Sequence, residues 1–245
     1  MKYFGISDVG LVRKINQDCY SITTNKAQDT LAIVCDGVGG GRSGDIASKA
    51  AASFLSDRFN NCEAFSDDRQ IREWLLKTIT EVNTFVVSLA MSKRKYEGMS
   101  TTLVAALFCK VGTYVVNVGD SRAYYLSDEQ LIKITKDHTL VETLVDQGLI
   151  KPEDALKHPH RHVLINAIGI ESEIKIDIFR LSEPYDLLML CSDGLHGYLS
   201  DDEIQTHINI KQDIEYITQY LVDQANQKGG MDNVTIVLVE VNDHE

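Results

Sequence analysis

The feature that most constrains the fold of this chain is a set of short apolar runs, each next to an aspartate. The three clearest runs occupy 31–35, 186–191 and 234–241, and continuous apolar runs of this length are typical of strands buried on both faces. The aspartates that follow or precede them are Asp36, Asp193 and Asp232. The pattern predicts a core of buried strands with acidic side chains gathered at the strand ends.

The order of the other predicted elements favours a layered fold. Apolar residues recur at helical spacing through 46–55 and 71–89, and 101–126 has the pattern of a three-stranded meander. Strands in groups and helices in pairs predict an α+β sandwich of sheets covered by helices, rather than alternating βαβ units. No Pro-rich or Ser/Gly-rich linker divides the sequence, so we expect one domain over 1–245.

Charge and cysteine content exclude several classes of function. Lys and Arg number 24 against 36 Asp and Glu, and the net charge of −12 disfavours binding to nucleic acid or to anionic lipid. The sequence has no apolar run long enough to span a membrane and no signal-peptide pattern, and its five cysteines form an odd set without a CxxC pair. We therefore expect a cytoplasmic protein with reduced thiols and with no nucleic-acid or membrane partner.

Several aspartates at the ends of buried strands also predict a metal centre. Carboxylates that meet at a partly desolvated edge repel one another unless cations lie between them. Oxygen ligands favour Mg²⁺ or Mn²⁺, whereas Zn²⁺ usually recruits His or Cys. A simple turn is the alternative for any single Asp-Gly pair, but three such aspartates beside apolar strands favour the metal centre.

Two other segments contain candidate site residues. Asp120 lies between two predicted strands, where it is a solvated acid in a hairpin turn, a further metal ligand, or both. Near the N-terminus, Arg13 has the geometry to hold a phosphate group, although an isolated Arg is more often a surface charge. Asp18 adds an acid at the start of a predicted strand over 18–23.

Taken in order, these residues fall in motifs that resemble those of the type 2C, or PPM, metal-dependent protein phosphatases. The resemblance runs almost from end to end, in a style similar to that of bacterial members, and an ordered series is far more specific than any one motif. The motifs are Ser7-Asp8-Val9-Gly10 with Arg13, Asn16 and Asp18; Val34-Cys35-Asp36-Gly37-Val38-Gly39-Gly40; Gly98-Met99-Ser100-Thr101-Thr102; Val118-Gly119-Asp120-Ser121-Arg122; Asp137-His138-Thr139; Ala167-Ile168-Gly169; Leu190-Cys191-Ser192-Asp193-Gly194-Leu195; and Asp232-Asn233-Val234-Thr235.

The resemblance implies a fold and a metal site. The fold would be an αββα four-layer sandwich, with two mainly antiparallel sheets flanked by helices and the metals in a cleft at the sheet edge. Asp36 would bridge two Mn²⁺ or Mg²⁺ ions, the Gly37 carbonyl would bind one of them, and Asp193 and Asp232 would bind the other. Asp120, together with Asp193, would form a weaker third site.

The resemblance further implies a reaction and its substrates. Arg13 would hold the substrate phosphate, and Asp18 would hydrogen-bond a metal-bound water. A hydroxide that bridges two metals would attack the phosphorus of phosphoserine or phosphothreonine directly, without a phosphoenzyme. The expected partners are phosphorylated proteins, substrates of a Ser/Thr kinase, and we expect the enzyme to be a monomer.

A few positions depart from the family pattern. Bacterial relatives often have His where this chain has Gly41, and Gly where it has Ser100, but neither position is a metal ligand. Animal relatives place a proposed general acid, a His, where this chain has Val38, so the proton donor is unassigned. For His138, which lies in a family motif, a structural hydrogen-bonding role is favoured over a catalytic one.

Other functions fit parts of the sequence less well. A cysteine-dependent phosphatase would use Cys35 and Arg42, but their spacing is one residue too long and the neighbouring Asp36 would raise the thiol pKa. A dinucleotide-binding loop at Gly39-x-Gly41-x-x-Gly44 is followed by helices, without the ribose-binding acid of that fold. A catalytically inactive, phosphatase-like binding domain is the remaining alternative, although all the expected metal aspartates are present.

The segment 138–162 is interpreted as a substrate-facing flap. It has few periodic apolar positions, and it ends with a group of basic side chains, His158, His160, Arg161 and His162. A solvated loop is the alternative, and the family analogy favours the flap.

Overall fold

Two antiparallel sheets form the centre of this protein in the computed structural model, which describes residues 1–38, 43–155, 158–208 and 212–241. One sheet has five strands, in the spatial order β1, β11, β10, β7, β8. Their bounds are β1 (Lys2–Asp8), β7 (Arg122–Ser127), β8 (Gln130–Lys133), β10 (Leu187–Cys191) and β11 (Val234–Glu240).

The other sheet contains the first of the predicted buried strands. Its spatial order is β2, β3, β5, β6, β9, and a short strand, β4, pairs with the end of β3. The bounds are β2 (Asp18–Thr24), β3 (Thr30–Val38), β4 (Ser100–Thr101), β5 (Leu103–Cys109), β6 (Gly112–Val118) and β9 (Asp177–Leu181).

Three apolar clusters show that the layers stack as a four-layer sandwich. Side chains from both sheets, including Val34, Val104, Leu190 and Val237, pack together between the sheets. The other two clusters join each sheet to the helices on its outer face. Because successive strand residues point to opposite faces, a strand in the middle of such a stack must be apolar on both sides, as the sequence predicts.

Helices cover the outer face of each sheet. The six-stranded sheet is covered by α1 (Gly44–Asn60) and α2 (Asp68–Ser92), and the five-stranded sheet by α5 (Asp193–His196), α6 (Asp201–His207) and α7 (Ile214–Gln227). The short helices α3 (Leu140–Asp146) and α4 (Pro152–Ala155) lie in the predicted flap segment, and Arg94–Tyr96 forms a 3-10 turn. In the described ranges, no helix combines the length and apolarity needed to cross a bilayer.

The predicted α+β class and αββα layering are confirmed, and the helices predicted at 46–55 and 71–89 correspond to the longer α1 and α2. The prediction that 101–126 is a meander is wrong for its last strand, because β7 leaves β6 and pairs with β10 in the opposite sheet. The dinucleotide-binding alternative is also excluded, because β3 pairs antiparallel with both its neighbours. Gly39 and Gly41 of that loop lie outside the described residues.

Packing between the sheets gives a stability prediction. Leu190 is fully buried there, so Leu190→Ala removes apolar contact and leaves a cavity. We expect a loss of about 2–5 kcal/mol in the free energy of unfolding, measured by urea denaturation. The control Leu149→Ala removes the same atoms from a side chain that is 66% exposed, and it should change stability by less than about 0.5 kcal/mol. Equal losses in the two variants would contradict the assignment of this core.

Candidate active site

A cavity of about 240 Å³ lies where the two sheets meet, and it gathers most of the predicted site residues. Its acidic lining comes from both sheets and from the connection between them. The lining residues are Arg13, Gln17, Asp36, Gly37, Val38, Asp120, His162, Leu164, Asp193, Asp232 and Asn233. The predicted metal residues therefore share one cavity, with the predicted phosphate-binding arginine beside them.

The six-stranded sheet contributes Asp36 to the cavity, and Asp18, which is not among the lining residues, lies beside it. These two residues are cross-strand partners in β2 and β3, so their side chains lie close together on one face of the sheet. The backbone N–H of Asp36 donates to the Thr102 hydroxyl at 2.9 Å, which fixes the end of β3. Gly37 follows, and a Cβ there would overlap the Gly44 carbonyl and approach the Gln17 carbonyl to 2.6 Å. Close packing around this strand end therefore requires glycine.

The five-stranded sheet contributes Asp193 and Asp232. Asp193 follows β10 as the first residue of α5, and Asp232 precedes β11. A Cβ on Gly194 would overlap the Asn233 carbonyl, so glycine is required for the two segments to come together. Ser192 adds a bond between the sheets, because its hydroxyl donates to Asp18 Oδ2 at 2.7 Å.

Asp120 lies on the connection that crosses between the sheets. It is 7% exposed, and it sits between the last residue of β6 and the first of β7. The Nε2 atom of His196 lies 3.0 Å from the Asp120 carbonyl oxygen and donates to it. Burial and the nearby Arg122 guanidinium lower the pKa of His196 to about 3, so its ring is neutral at physiological pH. The hairpin-turn alternative for Asp120 is wrong, because β6 and β7 pair in different sheets and the Asp120 residue is buried at the cavity.

Arg13 contacts one of the predicted metal ligands directly. Its Nη2 donates to Asp232 Oδ2 at 2.8 Å, and its Nε donates to the Met231 carbonyl at 3.2 Å. The Arg13 side chain is 48% exposed and reaches the cavity from the loop between β1 and β2. In this arrangement the guanidinium neutralises Asp232 at the cavity wall.

Burial and the proximity of other carboxylates raise the pKa values of the acids in the site. Burial, together with the charge of Asp18, raises the pKa of Asp36 well above its usual range, and burial with the charge of Asp193 does the same for Asp120. Burial also raises the pKa of Asp193. The pKa of Asp18 rises to about 7, because burial outweighs the hydrogen bond from Ser192. These raised pKa values mean that the protein by itself does not stabilise all of these carboxylates in their charged form.

The chemistry of these donors fits hard divalent cations. Carboxylate oxygens and a backbone carbonyl are ligands that Mg²⁺ and Mn²⁺ prefer, and cations between the acids would relieve their repulsion. Within the described residues, however, no three acidic, His or Cys side chains already converge with the spacing of a metal site. Asp232 is paired with Arg13. A cation that bound the Asp232 carboxylate would therefore compete with the Arg13 guanidinium for it.

His138 hydrogen-bonds to the backbone of Gly119 and so fixes the segment between β6 and β7 that contains Asp120. Its Nδ1 accepts from the Gly119 N–H at 3.2 Å and from Asn166 Nδ2 at 2.7 Å, and its backbone N–H donates to the Gly119 carbonyl. Since Nδ1 accepts, the ring proton is on Nε2, which donates to Asp177 Oδ2 at 2.9 Å. At 4% exposure His138 is not among the cavity residues, which confirms the structural role favoured from sequence.

Several residues that support the site were not among the predicted site residues. Asn233 is the clearest, because its Oδ1 accepts from the Gln17 N–H while its Nδ2 donates to the Val9 and Ile15 carbonyls. Its place next to Asp232 in a motif was the available signal. Ser192 and Thr102 also lie within motifs, whereas Asn166 gave no signal, because its hydrogen bond to His138 joins residues distant in sequence.

The predicted flap segment reaches the cavity at its end. His162 lines the cavity, as does Leu164 just beyond the segment, and Arg161 lines a neighbouring cleft of about 600 Å³. The two ends of the segment are held together where the N–H of Ile165, three residues beyond it, donates to the His138 carbonyl at 3.0 Å. Lys157, within this segment, and the earlier candidates Gly41 and Arg42 lie outside the described residues.

The His138 network gives a second stability prediction. His138→Ala would leave the buried Gly119 N–H and the Asn166 amide without their shared acceptor, so we expect a loss of about 1–3 kcal/mol in the free energy of unfolding. The matched variant is His160→Ala, at an exposed position, which should cost less than about 0.5 kcal/mol. Urea denaturation measures both, and a His138→Ala protein as stable as wild type would refute the network.

Comparison with protein families and characterised proteins gives one consistent result. The family model for protein phosphatase 2C matches residues 12–234. The serine/threonine phosphatase stp of Listeria welshimeri is 39% identical over 237 residues, which cover 96% of this chain and 94% of that protein. The protein phosphatase PhpP of Streptococcus pneumoniae is 33% identical over 241 residues, which cover 98% of this chain and 97% of that protein.

Solved structures show the same similarity in three dimensions. The serine/threonine phosphatase Stp1 from Staphylococcus aureus superposes with a TM-score of 0.93 and 34% identity, covering 98% of this chain and 95% of the other. The serine/threonine phosphatase PstP/Ppp of Mycobacterium tuberculosis gives a TM-score of 0.86 and 33% identity, with 98% of each chain covered. Because the match extends over almost the whole sequence and the whole sandwich, this chain belongs to the protein phosphatase 2C family and is a protein serine/threonine phosphatase.

Proposed function

We propose that the cavity between the two sheets is the catalytic centre, at which phosphoserine and phosphothreonine in proteins are hydrolysed. One observation supports this proposal above all: the acids predicted as metal ligands come from separate parts of the fold and line the same cavity as Arg13. Burial of these acids together raises the pKa of Asp36 and of Asp120, and divalent cations bound among them would offset that cost.

The residues fit a centre that holds two divalent ions, with a weaker third site. Asp36 would bridge the two ions, with the Gly37 carbonyl on one and Asp193 and Asp232 on the other. Asp120 and Asp193 would form the third site. Mn²⁺ and Mg²⁺ both suit this oxygen donor set, and when bound they supply Lewis acidity and lower the pKa of water.

Arg13 would bind and orient the phosphate group of the substrate. Its guanidinium is exposed at the cavity and already bonds an anionic oxygen, that of Asp232, so its position suits a second anion. A planar guanidinium can hold two phosphate oxygens at once, which fixes the phosphorus for in-line attack. If Asp232 instead held a cation, the Arg13 guanidinium would be free to bind phosphate.

Asp18 would orient the attacking water. Its carboxylate is held by Ser192 at 2.7 Å and lies directly across the strand pair from Asp36. A carboxylate that is fixed in this way can accept a hydrogen bond from water without reorganising during the reaction.

We also propose the substrates and the cellular compartment of the enzyme. The enzyme would act as a single-domain monomer on phosphoproteins made by a Ser/Thr kinase. Its free cysteines suit the reducing cytoplasm. Divalent ions in the cavity would reverse the local negative field, so the net charge of −12 does not prevent an anionic phosphopeptide from entering.

The metal assignment is tested with Asp193→Asn. The variant keeps the shape of the side chain but removes its charge, so we expect turnover of a phosphothreonine peptide to fall by at least about 100-fold. Calorimetric titration should show weaker Mn²⁺ binding by the same variant. Asp202→Asn, at an exposed position on α6, is the matched control and should behave like wild type. Full activity of Asp193→Asn across a Mn²⁺ series would exclude this residue from the centre.

The cysteine-dependent alternative predicts turnover that needs the Cys35 thiol and does not need a metal ion. Cys35 is fully buried, and burial raises its thiol pKa well above the usual range, which opposes a nucleophilic thiolate. We therefore expect EDTA to abolish turnover, added Mn²⁺ to restore it, and Cys35→Ser to retain most of the activity of the folded enzyme. Thermal unfolding checks that Cys35→Ser is folded. EDTA-resistant turnover that is lost in Cys35→Ser would support the cysteine mechanism instead.

A further inference from the structure

Large apolar side chains are exposed beside the catalytic cavity, in a group that we name the apolar rim. The rim consists of Leu11, Val12 and Ile15 from the loop between β1 and β2, and Met231 from the loop before β11. Their exposed fractions are 70%, 62%, 58% and 61%. They are four of the seven most exposed large apolar side chains among the described residues. Scattered apolar residues are normal on a protein surface, but a concentration next to a catalytic site is a mark of binding.

Backbone hydrogen bonds fix the two loops of the rim to each other. The N–H groups of Leu11 and Val12 donate to the Gly230 carbonyl at 2.7 and 3.2 Å, and Arg13 Nε donates to the Met231 carbonyl. A Cβ on Gly230 would lie 2.7 Å from Leu11 Cγ, so the Leu11 side chain covers this turn. The rim is therefore a built surface, whose apolar groups are held out in solvent.

The rim is continuous with the cavity. Arg13 follows Val12 in sequence, Asp232 follows Met231, and these two charged residues line the cavity and pair with each other. Tyr198 closes one side of the turn, because its ring and the Met231 side chain both lie within 4.0 Å of a Cβ built on Gly229. The rim side chains therefore border the cavity on the side of Arg13 and Asp232.

We propose that the apolar rim binds large apolar residues that flank the phosphorylated residue of a substrate, within about three positions of it. The proposal rests on the catalytic centre assigned above. An extended chain advances about 3.3 Å per residue, so positions within three residues of the phosphate lie within about 10 Å of the cavity. Val12 and Met231 are the immediate sequence neighbours of the cavity residues Arg13 and Asp232, so the rim lies within reach of those substrate positions.

The chemistry of the rim favours apolar flanks over charged ones. Contact with Leu, Ile or Met side chains removes apolar surface of both partners from water, whereas a charged flank would lose hydration without gaining a partner there. Burial of one aliphatic side chain corresponds to roughly a tenfold gain in affinity when complete, and to less on a partly open surface.

The experiment compares two phosphothreonine peptides of equal length and charge. One has Leu and Ile at positions −2 and +2 from the phosphothreonine, and the other has Ser and Asn there. We expect kcat/KM of the wild-type enzyme with Mn²⁺ to be about fivefold or more higher for the apolar peptide. In the double variant Val12→Ser/Met231→Gln this ratio should fall to near one. Turnover of p-nitrophenyl phosphate, which has no flanking residues, is measured in parallel as the reference.

Matched variants separate the rim from general surface effects. Met91→Gln changes a side chain that is 67% exposed near the end of α2, and it should keep the wild-type peptide ratio. Val12→Ile keeps an apolar side chain and should also keep it. Circular dichroism and thermal unfolding confirm that each variant is folded.

Several results would overturn the proposal. They are a wild-type ratio near one, a ratio that survives in Val12→Ser/Met231→Gln, and an equal loss in Met91→Gln. Light scattering at the assay concentration tests another occupant: if the wild type is a dimer that the double variant dissociates while the peptide ratio is unchanged, the rim is an interface between copies. Failure of the catalytic centre is seen separately, as p-nitrophenyl phosphate turnover that survives in Asp193→Asn.

Discussion

The acidic side chains of the site lie at the ends of strands from both sheets, where the two sheets meet. Their mutual repulsion is the physical constraint on which the site depends. Burial and neighbouring charge raise the pKa values of Asp36, Asp120 and Asp193 together. The protein offsets part of the repulsion by pairing Arg13 with Asp232, although that pair is partly exposed and contributes little by itself. Divalent cations would balance the remaining negative charge of the carboxylates. An acidic protein of this family could then bind and act on phosphate esters.

Rigid packing holds the acids in place against this repulsion. Each acid adjoins a strand that is buried on both faces, and the strand ends are fixed by tight contacts such as that of Gly194 with the Asn233 carbonyl. Ser192 connects the sheets through Asp18, and His138 anchors the crossover that contains Asp120. A preorganised site of this kind avoids reorganisation during the reaction, which is the main source of electrostatic catalysis.

Two loops beside the cavity hold the residues that we propose to contact the substrate. Arg13 and three of the four rim residues share the loop between β1 and β2, and hydrogen bonds join this loop to the one that holds Met231. The loop between β1 and β2 is fixed to the start of β11 through Gly230 and Asn233. Specificity can therefore vary by changes in exposed side chains without disturbing the acids beneath, as is common for binding loops on stable scaffolds.

Local sequence pattern predicted the central elements well and the peripheral ones poorly. The buried strands β3, β10 and β11 and the long helices α1 and α2 have strong apolar periodicity, because both faces of the strands and one face of each helix are covered. The strands β1, β8 and β9 were not predicted. All three lie at sheet edges, where one neighbour and partial burial leave a weak pattern.

The sequence by itself determined the chemistry of this protein: which acids adjoin buried strands, that their oxygens suit Mg²⁺ or Mn²⁺, and which family the ordered motifs resemble. Only the tertiary structure decided that β7 crosses to the second sheet, that Arg13 pairs with Asp232, and that His138 supports the site instead of reacting in it. The reason is physical. Strand pattern and turn chemistry are local, whereas these contacts join residues far apart in sequence whose approach depends on how two complete sheets pack.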